Sequence, residues 1–200
     1  MLRLAGVILG IAVAVALAVA LAWSRTEAGQ YWVGVAQVET GHYQAAEQTA
    51  RTLIAAHPTS EYNYYRLLAS ALRRSGQTQA QLDVYDTSVR LFPDNIYAHG
   101  HRCWYNALFG DASRVMDSCE RSVALSLDND PRPIFWRGMA RARMGDRQRA
   151  IADLDEAIAR WQRDSSNEWL YRQCVRWVAI LRAGGDPFED DALKTARQSS

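Results

Sequence analysis

The sequence is poor in several features that particular classes of protein require. Lys194 is the only lysine among 23 basic residues, and 22 acidic residues balance them to a formal net charge of +1. A general nucleic-acid-binding role needs a basic face that displaces counterions from phosphates. The near-neutral balance gives that role no support, so we expect no nucleic-acid partner.

Catalytic motifs are also missing. The chain contains no G-x-S-x-G, H-E-x-x-H, G-x-x-x-x-G-K-[ST] or G-x-G-x-x-G segment. His42 and His57 fall at a predicted turn and a predicted helix end, where surface histidines are common. Asp153, Asp155 and Glu156 are interpreted as the solvated face of a helix. We therefore predict that the protein is not an enzyme and uses no cofactor.

Charge is absent from residues 4–23, a run of 20 residues rich in Ala, Val and Leu. Such a run is long enough to cross a bilayer as a helix, since ~20 residues rising ~1.5 Å each span the ~30 Å hydrocarbon layer. No polar face interrupts it, which disfavours an ordinary core helix. It is either a permanent anchor, which its length favours, or a signal peptide cleaved after the small-x-small sequence at residues 20–22.

The orientation of this segment follows from its flanking charge. Arg3 precedes the run and is expected to stay inside. Residues 1–25 are thus predicted to hold the chain in the bacterial inner membrane as a single pass, with the remaining residues in the periplasm. Cleavage would instead release the protein into the periplasm. No cysteine follows the run closely, so attachment as a lipoprotein is not supported.

The rest of the chain is dominated by a repeated pattern. Glycines at predicted turns occupy positions 41, 76, 110 and 145, separated by 35, 34 and 35 residues. The small residues before each turn keep this period, at positions 34, 69, 103 and 138. The clearest copy is GMARARMGDRQRAIADLDEAIAR, residues 138–160, which is typical of two short helices closed against each other. The pattern resembles the tetratricopeptide repeat.

The resemblance predicts an all-α fold. It implies a right-handed α-solenoid of four helix-turn-helix repeats, with a capping helix after them and one transmembrane helix before them. The repeat domain spans 26–185, with repeats at 27–60, 62–95, 96–129 and 131–164 and the cap at 167–183. An apolar stripe suits the cap, and residues 186–200 form a tail with a short helix starting at Pro187. The stripe consists of Leu170, Cys174, Trp177, Val178 and Leu181.

The segment HGHRC is the only cluster that resembles a chemical site. His99 and Cys103 share a helix face, and Cys119 lies on the next helix at a similar distance from the turn at Gly110. Three alternatives remain open: a disulfide, which suits an oxidising compartment and is favoured; two buried free thiols; or a metal held by the three residues. The metal site lacks a fourth ligand and the C-x-x-C spacing of strong zinc motifs.

The resemblance also implies a binding surface, because the first helices of successive repeats line a concave groove that binds peptides in this family. Arginine and aromatic side chains, which are enriched where proteins anchor partners, occupy many of the positions. The groove residues are Tyr31, Val35, Val38, Asn63, Arg66, Ser70, Arg73, Arg74, Tyr97, Trp104, Leu108, Arg132, Phe135, Met139 and Arg143. They combine a cationic patch with an aromatic one, which would complement a segment carrying carboxylates beside an apolar anchor. The alternative is that the arginines form a solvated face and the aromatics pack partly between neighbouring helices.

The predicted function is therefore a membrane-tethered scaffold for protein–protein interaction in the cell envelope, binding a protein or peptide in the groove. Tyr31 and Val35 take the places of the Lys and Asn of the family's carboxylate-clamp members, so recognition of a chaperone tail by that mode is not supported. The alternative is a self-association module, a homodimer without a groove ligand. Exposed aromatics such as Trp161 and Trp169 would join its two copies.

Overall fold

The computed structural model describes residues 22–126, 130–162 and 168–189. This part of the chain forms nine α-helices and two short 3-10 helices after the helical residues 22–24, and it contains no strand, which confirms the all-α prediction. The predicted membrane helix lies outside the described residues, apart from its last two positions, and so does the tail beyond residue 189. Among the helices that are described, none is long and apolar enough to cross a bilayer.

The chain divides into two compact units, residues 1–71 and 72–200, and the boundary falls within one helix. The first unit contains α1 (Glu27–Glu39), α2 (Tyr43–Ala56) and most of α3 (Tyr62–Arg74). The second unit contains the end of α3 and the helices that follow it. These are α4 (Thr78–Leu91), α5 (Ile96–Phe109), α6 (Met116–Leu125), α7 (Arg132–Arg143), α8 (Arg147–Trp161) and α9 (Glu168–Arg182), with 3-10 helices at Ala112–Val115 and Pro187–Glu189.

In the first unit, α1 and α2 pack against each other across a three-residue turn, residues 40–42. Thr26 caps α1, because its hydroxyl oxygen accepts a hydrogen bond from the Gly29 amide at 3.1 Å. Gly34 lets the helices approach: a Cβ there would lie 2.5 Å from Leu67 Cδ2 and 3.3 Å from Thr49 Cγ2. The small residue before the first turn therefore serves helix packing, as the repeat pattern predicts.

The turns follow the repeat with one exception. Gly41, Gly76 and Gly145 have φ values of +80°, +79° and +81°, a left-handed conformation that glycine adopts without steric cost. Gly110 has φ −121° instead. The chain continues there through Asp111, whose carboxylate accepts from the Ser113 amide and caps a 3-10 helix before α6. The third repeat thus keeps the period while changing the turn.

The core of the second unit is rich in aromatic rings. Phe135 lies 5.2 Å from Trp104, 5.6 Å from Trp161 and 5.8 Å from Trp177, measured between ring centroids. Phe188, in the last 3-10 helix, joins the same core. Trp161 is only 3% exposed, so the expectation that it joins two copies is wrong: it packs inside its own unit.

The capping helix α9 has the predicted apolar stripe. Cys174, Trp177, Val178 and Leu181 are buried, and Leu170 packs against the same core from a partly exposed position. Cys174 carries a free thiol, and burial raises its pKa to about 12. It therefore behaves as a small apolar side chain in this helix.

Candidate partner-binding surface

A cleft of about 280 Å³ opens between α1 and α3 in the first unit. Five of its lining residues were predicted as groove positions from the repeat pattern, and three were not. The predicted ones are Tyr31, Val35, Val38, Arg66 and Ser70; the others are Trp32, Glu39 and Leu67. Trp32 is 56% exposed. Its position one residue from Tyr31, on a largely apolar helix, is the signal that could have identified it.

Among the described residues that line this cleft, Arg66 is the only cation. Its Nη2 donates to the Tyr31 hydroxyl at 2.7 Å, and its Nε donates to Asn63 Oδ1 at 3.3 Å. Both partners are neutral, and none of the ion pairs formed within the described residues involves Arg66. The guanidinium is therefore oriented by two neutral neighbours, and Glu39, the acid that also lines the cleft, forms no ion pair with it among the described residues.

The acid closest to the start of α1 points elsewhere. The Glu27 carboxylate accepts a hydrogen bond from the Tyr64 hydroxyl and lies 3.5 Å from His57 Nε2. Burial and this bond raise the pKa of Tyr64 above its ordinary value. Glu27 thus ties the start of α1 to α3, and it does not line the cleft.

In the second unit, Tyr97 and Arg132 lie together on the predicted groove face. The Arg132 guanidinium carbon lies 5.0 Å from the Tyr97 ring centroid, and Nη2 donates to its hydroxyl at 2.9 Å. Asp130 also pairs with Arg132 at 2.8 Å, and its hydrogen bonds raise the pKa of the guanidinium above its usual value. Arg132 therefore forms an ion pair within the chain, whereas Arg66 forms none among the described residues.

Three other residues that were predicted to lie on the groove surface are buried, so these predictions are wrong. Phe135 and Met139 are 1% and 0% exposed, and Leu108 is also buried. The aromatic ring of Trp177 on α9 stacks on Phe135, so the capping helix and the core cover the positions that the repeat pattern assigns to a groove. Trp104 remains partly exposed above Phe135.

The remaining predicted groove residues differ in their exposure and in their neighbours. Asn63 is exposed and bound to Arg66. Arg74 is exposed and Arg73 partly buried, both at the end of α3 in the second unit. Arg143 is exposed, but its guanidinium carbon lies 5.1 Å from the centroid of the Phe188 ring. The segment after α9 therefore lies against the Arg143 end of the predicted groove.

Sequence analysis missed a recurring arginine contact between helices. Arg102 on α5 binds Asp86 on α4 at 2.7 Å, and it binds Asp117 and Ser118 on α6 at 3.1 and 2.8 Å. Each contact joins the first helix of one repeat to the second helix of the same repeat or of the repeat before it. Arg102 is largely buried, with 17% of its side chain exposed.

The same contact recurs 35 residues later. Arg137 on α7 binds Glu120 on α6 and Asp153 on α8, both at 2.7 Å, and Arg141 binds the same two carboxylates at 2.7 and 2.8 Å. Asp153 is only 4% exposed, so its interpretation as part of a solvated face is wrong. Burial alone would lower the pKa of Arg137, but its hydrogen bonds raise it above the usual value. The period of 35 between two arginines was the signal available in the sequence.

The two cysteines on either side of the third turn are joined. The Cys103 and Cys119 sulfurs form a disulfide between α5 and α6, with Cα atoms 5.0 Å apart. The His99 ring does not face them: Nε2 lies 2.9 Å from the Pro93 carbonyl oxygen and Nδ1 lies 3.3 Å from Ser118 Oγ. Within the described residues, no group of three His, Cys, Asp or Glu side chains is placed to hold a metal ion.

This arrangement of paired helices, with a first-helix face that carries polar and aromatic side chains, is that of a helical-repeat protein. Two segments match models of the tetratricopeptide repeat, residues 34–96 and 134–162. The chain therefore carries tetratricopeptide repeats, as the sequence pattern predicts. Such repeats generally mediate protein–protein interaction.

Solved structures share the fold at low sequence identity. TTC0263, a thermophilic tetratricopeptide repeat protein of Thermus thermophilus, is 21% identical with a TM-score of 0.61, over 76% of this chain and 82% of its own. MamA is 17% identical with a TM-score of 0.59, over 74% and 85%. A double mutant of MamA RS-1 is 17% identical with a TM-score of 0.62, over 88% and 92%. Comparison with curated proteins gives no matching relative.

Proposed function

We propose that the protein is a membrane-tethered scaffold of the bacterial cell envelope that binds a protein or peptide segment on the first-helix face of its repeats. The observation that carries this proposal is the cleft between α1 and α3. Its lining combines the Arg66 guanidinium, which forms no ion pair among the described residues, with the exposed indole of Trp32 and the side chains of Val35 and Leu67; Glu39 is the acid of the lining.

The chemistry of the cleft selects its ligand. A carboxylate that reaches Arg66 forms a charge-assisted hydrogen bond without breaking an existing ion pair, because the described partners of Arg66 are the neutral Tyr31 and Asn63. Because Arg66 is exposed, such a bond contributes about 0.2–1 kcal/mol. Trp32 offers a large apolar contact that becomes buried when a neighbouring side chain packs on it. A segment with an acidic residue beside an apolar one satisfies both groups.

Tethering to the membrane is supported by the uncharged run at residues 4–23. The Cys103–Cys119 disulfide suits the periplasm, where thiols are oxidised. A scaffold held there through residues 1–25 would present its repeats to partners close to the membrane.

Site-specific photocrosslinking in cells tests the binding face. A photoreactive amino acid replaces Val35, which lines the cleft, in the full chain. The matched control places it at Gln48, an exposed residue of α2 in the same unit that does not line the cleft. We expect a partner adduct from position 35 that falls at least about fivefold when Arg66→Glu is added, since the salt bridge becomes a repulsion. Equal adducts at both positions, insensitive to Arg66→Glu, would contradict the proposal.

Self-association remains the second candidate, supported by one observation. Trp169 on α9 is 59% exposed, and Val175 is exposed on the same helix. Light scattering of the full chain in detergent, compared with a Trp169→Ser variant, separates the two functions. A tight dimer that the substitution converts to a monomer, with crosslinking at position 35 unchanged, would assign α9 to self-association and leave the cleft for a partner.

A further inference from the structure

One side of α1 is apolar and exposed. Gly29, Trp32, Val33 and Ala36 are spaced i, i+3, i+4 and i+7, so they share a helix face. Trp32, Val33 and Ala36 are exposed, whereas Gly29 is buried. A Cβ at Gly29 would lie 2.0 Å from the Trp23 carbonyl oxygen and 2.8 Å from Ser24 Cα. The incoming chain therefore crosses α1 on this same face.

The junction between the incoming chain and α1 is tight. Residues 22–24 are helical, and only Arg25 and Thr26 separate them from α1. The Thr26 hydroxyl donates to the Trp23 carbonyl at 2.6 Å, and the Thr26 amide donates to it at 2.9 Å. These bonds fix the position of Trp23 relative to the first turn of α1.

The charges near this junction are asymmetric. Arg25 is exposed, and the neighbouring acid, Glu27, is engaged by Tyr64 and His57. The surface formed by Trp23, Arg25, Trp32 and Val33, which we term the collar, therefore combines two exposed indoles with a cation. Tryptophan and arginine together suit the boundary between lipid headgroups and acyl chains.

We infer that the collar lies in the interface of a phospholipid bilayer, with its indoles at headgroup level and Arg25 against lipid phosphates. This inference rests on the proposed function, because it requires residues 4–23 to span the membrane. The uncharged run ends at Trp23, whose backbone touches Gly29. Trp32 follows Gly29 by three residues, a rise of about 5 Å along α1, so it stands close to the end of the run.

The inference adds a property to the binding site. Trp32 belongs both to the collar and to the cleft that contains Arg66. A collar seated in the headgroup region would open the cleft beside the membrane surface. The cleft would then bind a partner segment at the point where that segment leaves the bilayer, which favours partners that are themselves membrane-anchored.

The test measures contact between Trp32 and lipid in the full chain. The protein is reconstituted into vesicles of phosphatidylcholine with a minor fraction of phosphatidylglycerol, prepared with ordinary or brominated acyl chains, and bromine quenches nearby tryptophan fluorescence. The emission lost in a Trp32→Phe variant gives the contribution of Trp32. A Trp169→Phe variant gives the matched control, an exposed tryptophan in the other unit. Flotation of the vesicles on a density gradient, with circular dichroism of each variant, reports tethering and folding.

We expect the chain to float with the vesicles and the Trp32 emission to fall about twofold in brominated lipid, with little change for Trp169, because interfacial burial reaches the acyl boundary. Flotation with Trp32 quenched no more than Trp169 would overturn the collar alone. That result would point instead to a second copy or to another part of the chain on this face. A chain that does not float would overturn the tethering in the proposed function and the collar with it.

Discussion

Residues that look alike in the sequence have different roles in the structure. Asp153 and Asp155 lie on one helix, two residues apart, and the sequence pattern interprets both as solvated acids. Asp153 is buried between Arg137 and Arg141, whereas Asp155 pairs with Arg182 at 2.7 Å on the surface. The burial of a carboxylate depends on arginines from another helix, which a local pattern of charge does not contain.

We expect Asp153→Ala to lower the free energy of unfolding by about 3 kcal/mol, because it leaves two largely buried guanidinium groups short of a partner. The matched change Asp155→Ala breaks an exposed pair and should cost under about 1 kcal/mol. Urea denaturation of the full chain in detergent, followed by circular dichroism, measures both. Similar losses of unfolding free energy in the two variants would show that the buried ion pairs of Asp153 contribute no more to stability than the exposed pair of Asp155.

Glu120 gives the same network a dependence on pH. Burial would raise the pKa of this carboxyl, but hydrogen bonds from Arg137 and Arg141 hold it below its usual value. A carboxyl with a lowered folded pKa adds stability above its unfolded pKa of about 4.3, and that stability is lost as pH falls through the folded value. The difference in unfolding free energy between the protein and Glu120→Gln should therefore be full at neutral pH and shrink below about pH 4. A difference that stays constant from neutral to acid pH would contradict this.

The candidate site was predicted in part. The resemblance to the tetratricopeptide repeat assigned Tyr31, Val35 and Arg66 to the groove, and all three line the cleft. It placed Phe135 and Met139 on the same surface, although the structure buries them. Their exposure depends on the helix that follows the last repeat. That helix, α9, does not keep the repeat spacing, so the period could not predict that these residues are buried.

At the scale of helices and turns, the period predicted most of the order. Three of the four turn glycines have a positive φ, as a helix-turn-helix repeat requires. Gly110 keeps the spacing but not the conformation, because Asp111 caps a 3-10 helix that replaces a direct entry into α6. That choice depends on one side-chain hydrogen bond, which repeat spacing does not encode.

The turn at Gly145 allows backbone strain to be measured apart from packing. A Cβ there would meet nothing within 4 Å, and φ is +81°. Gly145→Ala should therefore cost about 1 kcal/mol through backbone strain alone. Gly145→Asn should cost less, because asparagine tolerates the left-handed region. Chemical denaturation of both variants checks the order; equal stability of the alanine variant and the native chain would contradict it.

For the whole molecule, the sequence predicted the class of protein and left the partner open. The class depends on small and apolar residues that recur every 34 or 35 positions, and these are set by helix packing. In the proposed function, surface side chains such as Arg66 and Trp32 select the partner. The Tyr31–Arg66 contact recurs as Tyr97–Arg132, each pair 35 residues apart, so the repeat spacing contains the contact but does not name the ligand. The cleft that both Arg66 and Trp32 line became visible only when α1 and α3 were brought together.

The compartment of the molecule can be tested through its disulfide. The Cys103–Cys119 bond closes a loop with a sequence separation of 16. A loop of this length stabilises the fold by about 3 kcal/mol in the chain-entropy treatment. We expect the Cys103→Ser, Cys119→Ser double variant to lose about that amount of unfolding free energy, and reductant to have the same effect on the native chain.

Non-reducing peptide mapping of protein from the envelope should find the two cysteines linked. Two free thiols would contradict the proposed periplasmic location.

The covered end of the second unit limits how copies of this protein can associate. Trp177 lies over Phe135, and Phe188 is buried under Arg143 in the same core. An additional helical hairpin, or the α1 of another molecule, would need this apolar face to continue the stack. It is already occupied, so head-to-tail polymerisation through it must first strip away α9 and the residues that follow. A filament built through this face should therefore grow only after that segment is removed, so α9 blocks this route to fibre formation.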